Sequence, residues 1–146
     1  MVYLTRRYHF SASHRLHSES LTDAENQQVY GKCNRPHGHG HNYLLHVTIG
    51  GPVDSATGMV LDLAVFDRLV KEEVLDPMDH AYLNLDLEPF RRMVATTENV
   101  CIEIFNRLAK RFTDAKGVRL SRILLEETPS NYFEYDGLGG PAAAAR

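Results

Sequence analysis

Only two cysteines, Cys33 and Cys101, occur among the 146 residues, which excludes a disulfide-dense scaffold. Cys101 falls in an apolar helical pattern, where a buried thiol is the ordinary explanation, so Cys33 is the informative one. No apolar run is long enough for a signal-peptide core or a membrane span, and the expected setting is cytoplasmic and reducing, with no membrane partner. A surplus of positive charge is missing too. The net charge is -3 and the pI about 6.2, which argues against a general nucleic-acid or membrane-surface binder. What remains is 43% hydrophobic and 24% charged, enough to bury the core of one domain.

Charge is unevenly placed. Up to Arg35 the chain carries Arg6, Arg7, Arg15, Lys32 and Arg35 against Glu19, Asp23 and Glu25. That pattern suits either a local anion site or scattered solvated cations, since no phosphate-loop motif accompanies it. Beside it lies Cys33-Asn34-Arg35-Pro36-His37-Gly38-His39-Gly40-His41, with histidines at alternate positions. In extended chain, residues i and i+2 project from one face about 6.6 Å apart, so two imidazoles can converge on one ion at about 2.0–2.1 Å. The glycines between them remove crowding side chains. A His-Gly tract can also be a plain loop. A true site needs a ligand from elsewhere, and His14 is the best candidate.

Taken in order, Val2 to Ser13 reads as a strand, with Tyr8, Phe10 and Ala12 on the face that His14 continues. Thr22-Asp23-Ala24-Glu25 has capping-box spacing and predicts a short helix ending at Gly31. Asn42 to Ile49 is rich in strand formers and stops at Gly50-Gly51-Pro52. Antiparallel pairing of these two strands would set His14 beside His39 and His41. His46, flanked by apolar residues, reads as a core or interface histidine rather than a ligand. Asp62 can cap a helix carrying Leu63, Phe66, Leu69, Val70 and Val74 on one stripe and stopped by Asp76-Pro77. Residues 76–95 read as a long connection containing Asp79-His80. A second helix starts near Thr96-Thr97-Glu98, with Val100, Ile104 and Leu108 as its stripe to about Phe112. Val118 to Thr128 and Tyr132 to Asp136 read as two more strands.

The expected architecture is a single α+β domain over residues 1–136, order ββααββ, with a four-stranded antiparallel sheet and two helices on one face; residues 137–146 read as a flexible tail. Its two open edges and uncovered face are liabilities that sheet continuation across subunits removes. Three neutral histidines, His14, His39 and His41, describe a zinc site with one position open. Cys33, next to Lys32 and near Arg35, suits a base or nucleophile, or else a fourth ligand that closes the site. Asp79 and His80 can adjoin for no chemical reason.

Phe10 to Leu16, Gly31 to Asn34, Gly38 to Tyr43, Asp54 to Leu63, Leu75 to His80, Thr96 to Val100 and Glu127-Thr128 together resemble the 6-pyruvoyl-tetrahydropterin synthase family, over nearly all the chain to about Asp136. The resemblance implies a tunnelling fold, in which three subunits close their sheets into a barrel and two trimers stack into a homo-hexamer with active sites between subunits. It implies elimination of triphosphate from 7,8-dihydroneopterin triphosphate and rearrangement to 6-pyruvoyl-tetrahydropterin. Zinc is the implied cofactor, held by His14, His39 and His41, and Mg2+ can accompany the triphosphate. Cys33 matches the catalytic thiol, with Asp79 and His80 completing a proton-transfer set across a subunit boundary. Glu127 matches the glutamate that anchors the pterin ring, helped by Thr96 and Thr97. Strand alternation puts Glu126 on the opposite face from Glu127.

His37 adds a second register. Cys33-x5-His39-Gly-His41 resembles the pyruvoyl synthase, and Cys33-x3-His37-Gly-His39 its relative, 6-carboxy-tetrahydropterin synthase of the queuosine route. The longer one is favoured, because Asn42-Tyr43 and the strand follow directly from His41. A noncatalytic zinc-stabilised assembly module is the alternative of another class. The favoured register predicts that His37→Ala keeps full zinc stoichiometry while His41→Ala loses the metal, read by elemental analysis of purified protein; the reverse result overturns the register.

Overall fold

A computed structural model describes residues 1–112 and 116–139. The notional tail 137–146 thus falls largely outside the described residues. Strand β1 (Val2–His14) pairs antiparallel with β2 (His39–Gly51), which pairs with β4 (Arg119–Thr128), itself paired with β5 (Asn131–Tyr135). The sheet is not the expected four-stranded antiparallel one. A fifth strand, β3 (Ala81–Tyr82), lies parallel to β1 at the outer edge, giving the order β3-β1-β2-β4-β5. Two residues are too short a run for periodicity to signal. Their placement follows from two bonds at the edge of β1: His80 N–H donates to Ser11 O at 2.6 Å, and Asp79 Oδ1 accepts from Ser11 N–H at 2.9 Å.

Alternation decides which face is covered. Phe10, Ala12 and His14 of β1, Tyr43, Leu45, Val47 and Ile49 of β2, and Ile123 and Leu125 of β4 are all buried. Over them lie helix α2 (Leu63–Val70), through Phe66 and Val70, and helix α5 (Thr97–Ala109), through Val100, Ile104 and Leu108. Tyr8 and Arg6 tie α2 to the sheet: the Tyr8 hydroxyl donates to Asp67 at 2.7 Å and Arg6 Nε at 2.9 Å. The opposite face carries polar cross-strand pairs, Thr5–Thr48 at 2.8 Å, Ser11–Asn42 at 2.6 Å and His46–Glu126 at 3.1 Å. His46 belongs to that polar face, not to the core.

Helix α1 (Asp23–Tyr30) forms where the capping box predicts it, with both reciprocal bonds between Thr22 and Glu25 present. Three expectations need correction. β2 begins at His39 rather than Asn42, because Gly38 N–H bonds back to Arg35 O at 3.0 Å and the turn closes before the histidines. Leu63 is 44% exposed, since as the first residue of α2 it precedes the turn that meets the core. The helix also does not stop at Asp76-Pro77. Lys71–Leu75 forms a π turn, with Asp76 N–H reaching Lys71 O, and a last helical turn, α3 (Asp76–Met78), follows. The wider turn reaches five residues back, so the amide that proline lacks falls at the start of a new turn. The connection beyond folds into β3, a short helix α4 (Leu83–Asp86) and a 3-10 turn at Glu88–Arg91.

Gly38 has φ 71°, and a Cβ there would lie 2.8 Å from the His14 carbonyl oxygen. Gly38→Ala should therefore lower the unfolding free energy of metal-free protein by at least about 1–2 kcal/mol, the usual cost of a left-handed non-glycine residue, read by denaturant titration.

Candidate active site

The β1–β2 register sets His14 directly opposite His39 and Ala12 opposite His41. His14, Ala12 and Phe10 share the buried face of β1, while His39, His41 and Tyr43 share that of β2. The three imidazoles accordingly meet at one end of the sheet, with ring centroids 4.6, 5.1 and 4.8 Å apart and roughly edge-on to one another. One ring nitrogen from each lies within 4.8 Å of the others, compact enough for a single ion.

His14 is 1% exposed. Its Nδ1 is 2.7 Å from the Ala95 carbonyl, which can only accept, so Nδ1 carries the proton and Nε2 presents a lone pair toward His39 Nε2 at 3.1 Å. Burial, reinforced by the two neighbouring imidazoles, pushes the His14 pKa down to about 4 despite the Ala95 bond, and burial likewise lowers His41. His41 Nε2 is buried without a hydrogen-bond partner. An orphaned acceptor facing two other imidazoles is the signature a metal would satisfy, and neutral nitrogen donors suit zinc.

Beside the imidazoles sits Glu127, with Oε1 3.7 Å from His14 Nε2 and 3.6 Å from His41 Nε2. It stands at an irregularity in the β4–β5 ladder, where Glu126 pairs with Tyr132 and Thr128 with Asn131, and such an extra residue re-aims its side chain. Thr97 donates to Oε1 at 2.5 Å and Asn131 Nδ2 to Oε2 at 2.7 Å. Burial pushes the Glu127 pKa up, but the bonds from Thr97 and Asn131, with the nearby His41 and His14, outweigh it and hold the group below its ordinary value. Thr96 caps α5, accepting from Asn99 N–H, so one helix start supplies both the cap and the hydroxyl on Glu127. Glu126 points elsewhere, to His46. A hollow of about 490 Å3 is lined by His41 and Glu127 together, a volume within the range of small-molecule pockets.

Among the described residues the other candidates are not gathered with the imidazoles, although His80 lines a hollow of about 310 Å3 with His41. Cys33 is half-buried in the 3-10 turn Gly31–Asn34, and its carbonyl accepts from Leu16 N–H at 2.9 Å. Among the described residues its sulfur is not one of the atoms gathered with the imidazoles, as a closed four-coordinate site would require. His37 is exposed in the turn before β2. Asp79 and His80 are at the β3 edge, 3.0 Å from each other, with the His80 side chain 83% exposed and its backbone at φ 63°. Ser11 N–H, the largest influence, holds the Asp79 carboxyl below its ordinary value. Sequence reasoning missed two groups: Ala95, whose carbonyl fixes the His14 tautomer, and Asn131, which grips Glu127. Neither carries a motif, since each acts through a contact between residues far apart in the chain.

A cluster of three imidazoles, one buried and two half-buried, next to a carboxylate braced on both oxygens, defines a metal-competent site on an α+β sheet. The family model described as 6-pyruvoyl tetrahydropterin synthase matches residues 3–138. A human protein named 6-pyruvoyl tetrahydrobiopterin synthase is 45% identical, over 92% of this chain and 90% of its own length. The solved structure of Caenorhabditis elegans 6-pyruvoyl tetrahydropterin synthase superposes with TM-score 0.87 at 46% identity, covering 93% of this chain and 95% of that one. A protein of Archaeoglobus fulgidus named putative 6-carboxy-5,6,7,8-tetrahydropterin synthase is 33% identical, over 80% of this chain and 90% of its own. The chain belongs to the 6-pyruvoyl tetrahydropterin synthase family, whose named members are synthases.

The brace on Glu127 sets a stability ranking. Asn131→Ala should cost about 1–3 kcal/mol, as loss of a hydrogen bond to a charged, part-buried group. Asn131→Asp should cost more, because it puts a second carboxylate against Glu127. Denaturant unfolding of the metal-free variants checks the order.

Proposed function

We propose that this protein is a zinc-dependent 6-pyruvoyl-tetrahydropterin synthase, converting 7,8-dihydroneopterin triphosphate to 6-pyruvoyl-tetrahydropterin with loss of triphosphate. The observation that carries the reading is the convergence of His14, His39 and His41 beside Glu127, with His41 and Glu127 both lining one hollow. His14, His39 and His41 would hold the ion. The chemistry a bound zinc supplies is polarisation of the substrate's side-chain oxygens, which eases loss of neighbouring carbon-bound protons.

The chain's own residues supply the rest. Glu127, kept ionised by Thr97 and Asn131, retains lone pairs that accept adjacent N–H groups of a pterin edge in bidentate fashion. Cys33 takes a proton from the substrate side chain, and His80, oriented by Asp79, returns one elsewhere, so the rearrangement runs without a redox cofactor. His80 and Asp79 stand in the turn that leads into the outermost strand and are exposed, which suits a contribution to the site of a neighbouring subunit in a homo-hexamer closed through sheet edges. The higher identity to relatives named for the pyruvoyl product favours it over the carboxylated one.

Zinc-loaded protein incubated with 7,8-dihydroneopterin triphosphate and no reductant should release triphosphate and yield the pyruvoyl pterin, identified by mass spectrometry. Acetaldehyde with a carboxylated pterin would instead establish the 6-carboxy activity, and untouched substrate the noncatalytic module. Cys33→Ala should keep its zinc and lose about 10²-fold or more in turnover.

A further inference from the structure

A groove of about 350 Å3 lies between the segment that follows β1 and the connection that leads into α5, and it takes no part in the site described above. Three arginines, Arg15, Arg91 and Arg92, line it with the hydroxyls of Ser18 and Ser20, and its single acid, Glu19, turns outward with a side chain 95% exposed. In a chain of net charge -3, this is a local excess of positive charge.

These arginines are held differently from those that meet a carboxylate. Arg6, Arg107, Arg111 and Arg122 each meet a carboxylate, respectively Asp67, Glu103, the pair Glu72 and Glu73, and Glu134. Arg15 instead donates its Nε to the Asn34 carbonyl at 2.8 Å, and Arg91 donates Nε and Nη2 to the Leu85 carbonyl at 3.2 and 3.0 Å. A carbonyl fixes a guanidinium in place without cancelling its charge. Among the described residues the terminal nitrogens of Arg15 and Nη1 of Arg91 have no protein partner, and Arg92 approaches Glu88 only at 4.0 Å. Anchored, unneutralised guanidinium forks are matched to phosphate oxygens.

Both walls also run straight into the imidazole cluster. Arg15 directly follows His14, and Val94 of the opposite wall directly precedes Ala95, whose carbonyl holds His14 Nδ1. We propose that this groove binds an oligophosphate, the triphosphate tail of the substrate whose other end lies at His14, His39, His41 and Glu127. The assignment of the tail rests on the functional reading above; the affinity for oligophosphate does not.

Calorimetric titration of inorganic triphosphate into the full-length protein tests it. The wild type should bind, more weakly as salt rises. Arg92→Glu, at a residue whose side chain is 88% exposed, should weaken binding by about tenfold or more with unchanged melting temperature and zinc content, and Glu19→Gln should strengthen it a few-fold. Triphosphate that fails to bind, or binds equally well to Arg92→Glu and the double variant Arg91→Ala/Arg92→Glu, overturns the proposal. In turnover assays triphosphate should compete with the pterin substrate, and Arg92→Glu should raise KM more than it lowers kcat; noncompetitive inhibition overturns the assignment to the tail. Turnover with no effect of these variants removes the groove and leaves the functional reading standing. Arginine-dependent triphosphate binding without turnover does the opposite.

Discussion

A slip of one residue between β1 and β2 would turn every side chain of one strand to the other face of the sheet. His14 would then face away from His39 and His41, while Phe10 and Ala12 would leave the core. The same register is thus enforced by apolar burial along most of the strand and used for chemistry at its end. Phe10 stacked on Tyr43, with ring centroids 5.0 Å apart, is the last apolar pair before the imidazoles begin, and it pins the alignment where it matters. Any metal the three imidazoles hold would couple its affinity to folding through this pair of strands, since His14 meets His39 and His41 only when the strands pair.

Helix α5 supplies the second constraint. Its start delivers the Ala95 carbonyl to His14, the Thr96 cap to its own amides and the Thr97 hydroxyl to Glu127 within three successive residues. Burying a histidine at 1% exposure and a carboxylate nearby costs solvation, and these short contacts offset it. Because Val100, Ile104 and Leu108 seat the helix on β4 and β5, the position of those polar groups is fixed by packing rather than by loop conformation.

Much of this was legible from residue order. The period-two pattern of Tyr8, Phe10 and Ala12 extends to His14, and that single inference brings it to His39 and His41. The capping signals at Thr22, Asp62 and Thr96 located three helix starts. Illegible parts share a cause. β3 is two residues long, and the continuation of α2 past Pro77 depends on a π turn that no propensity encodes. Asn131 and Ala95 act through tertiary contacts, and the groove arginines differ from their paired counterparts only in which oxygen each one meets.

The π turn at Lys71–Leu75 also controls angular phase. One residue advances an α-helix by about 100°, so removing one residue from the widened turn would rotate everything after it by roughly a quarter-turn about the axis. Met78, fully buried, would swing out of the core, and Asp79 would lose its grip on Ser11. Length is therefore constrained here for an angular reason: the surplus residue dials the outermost strand into alignment with its neighbour.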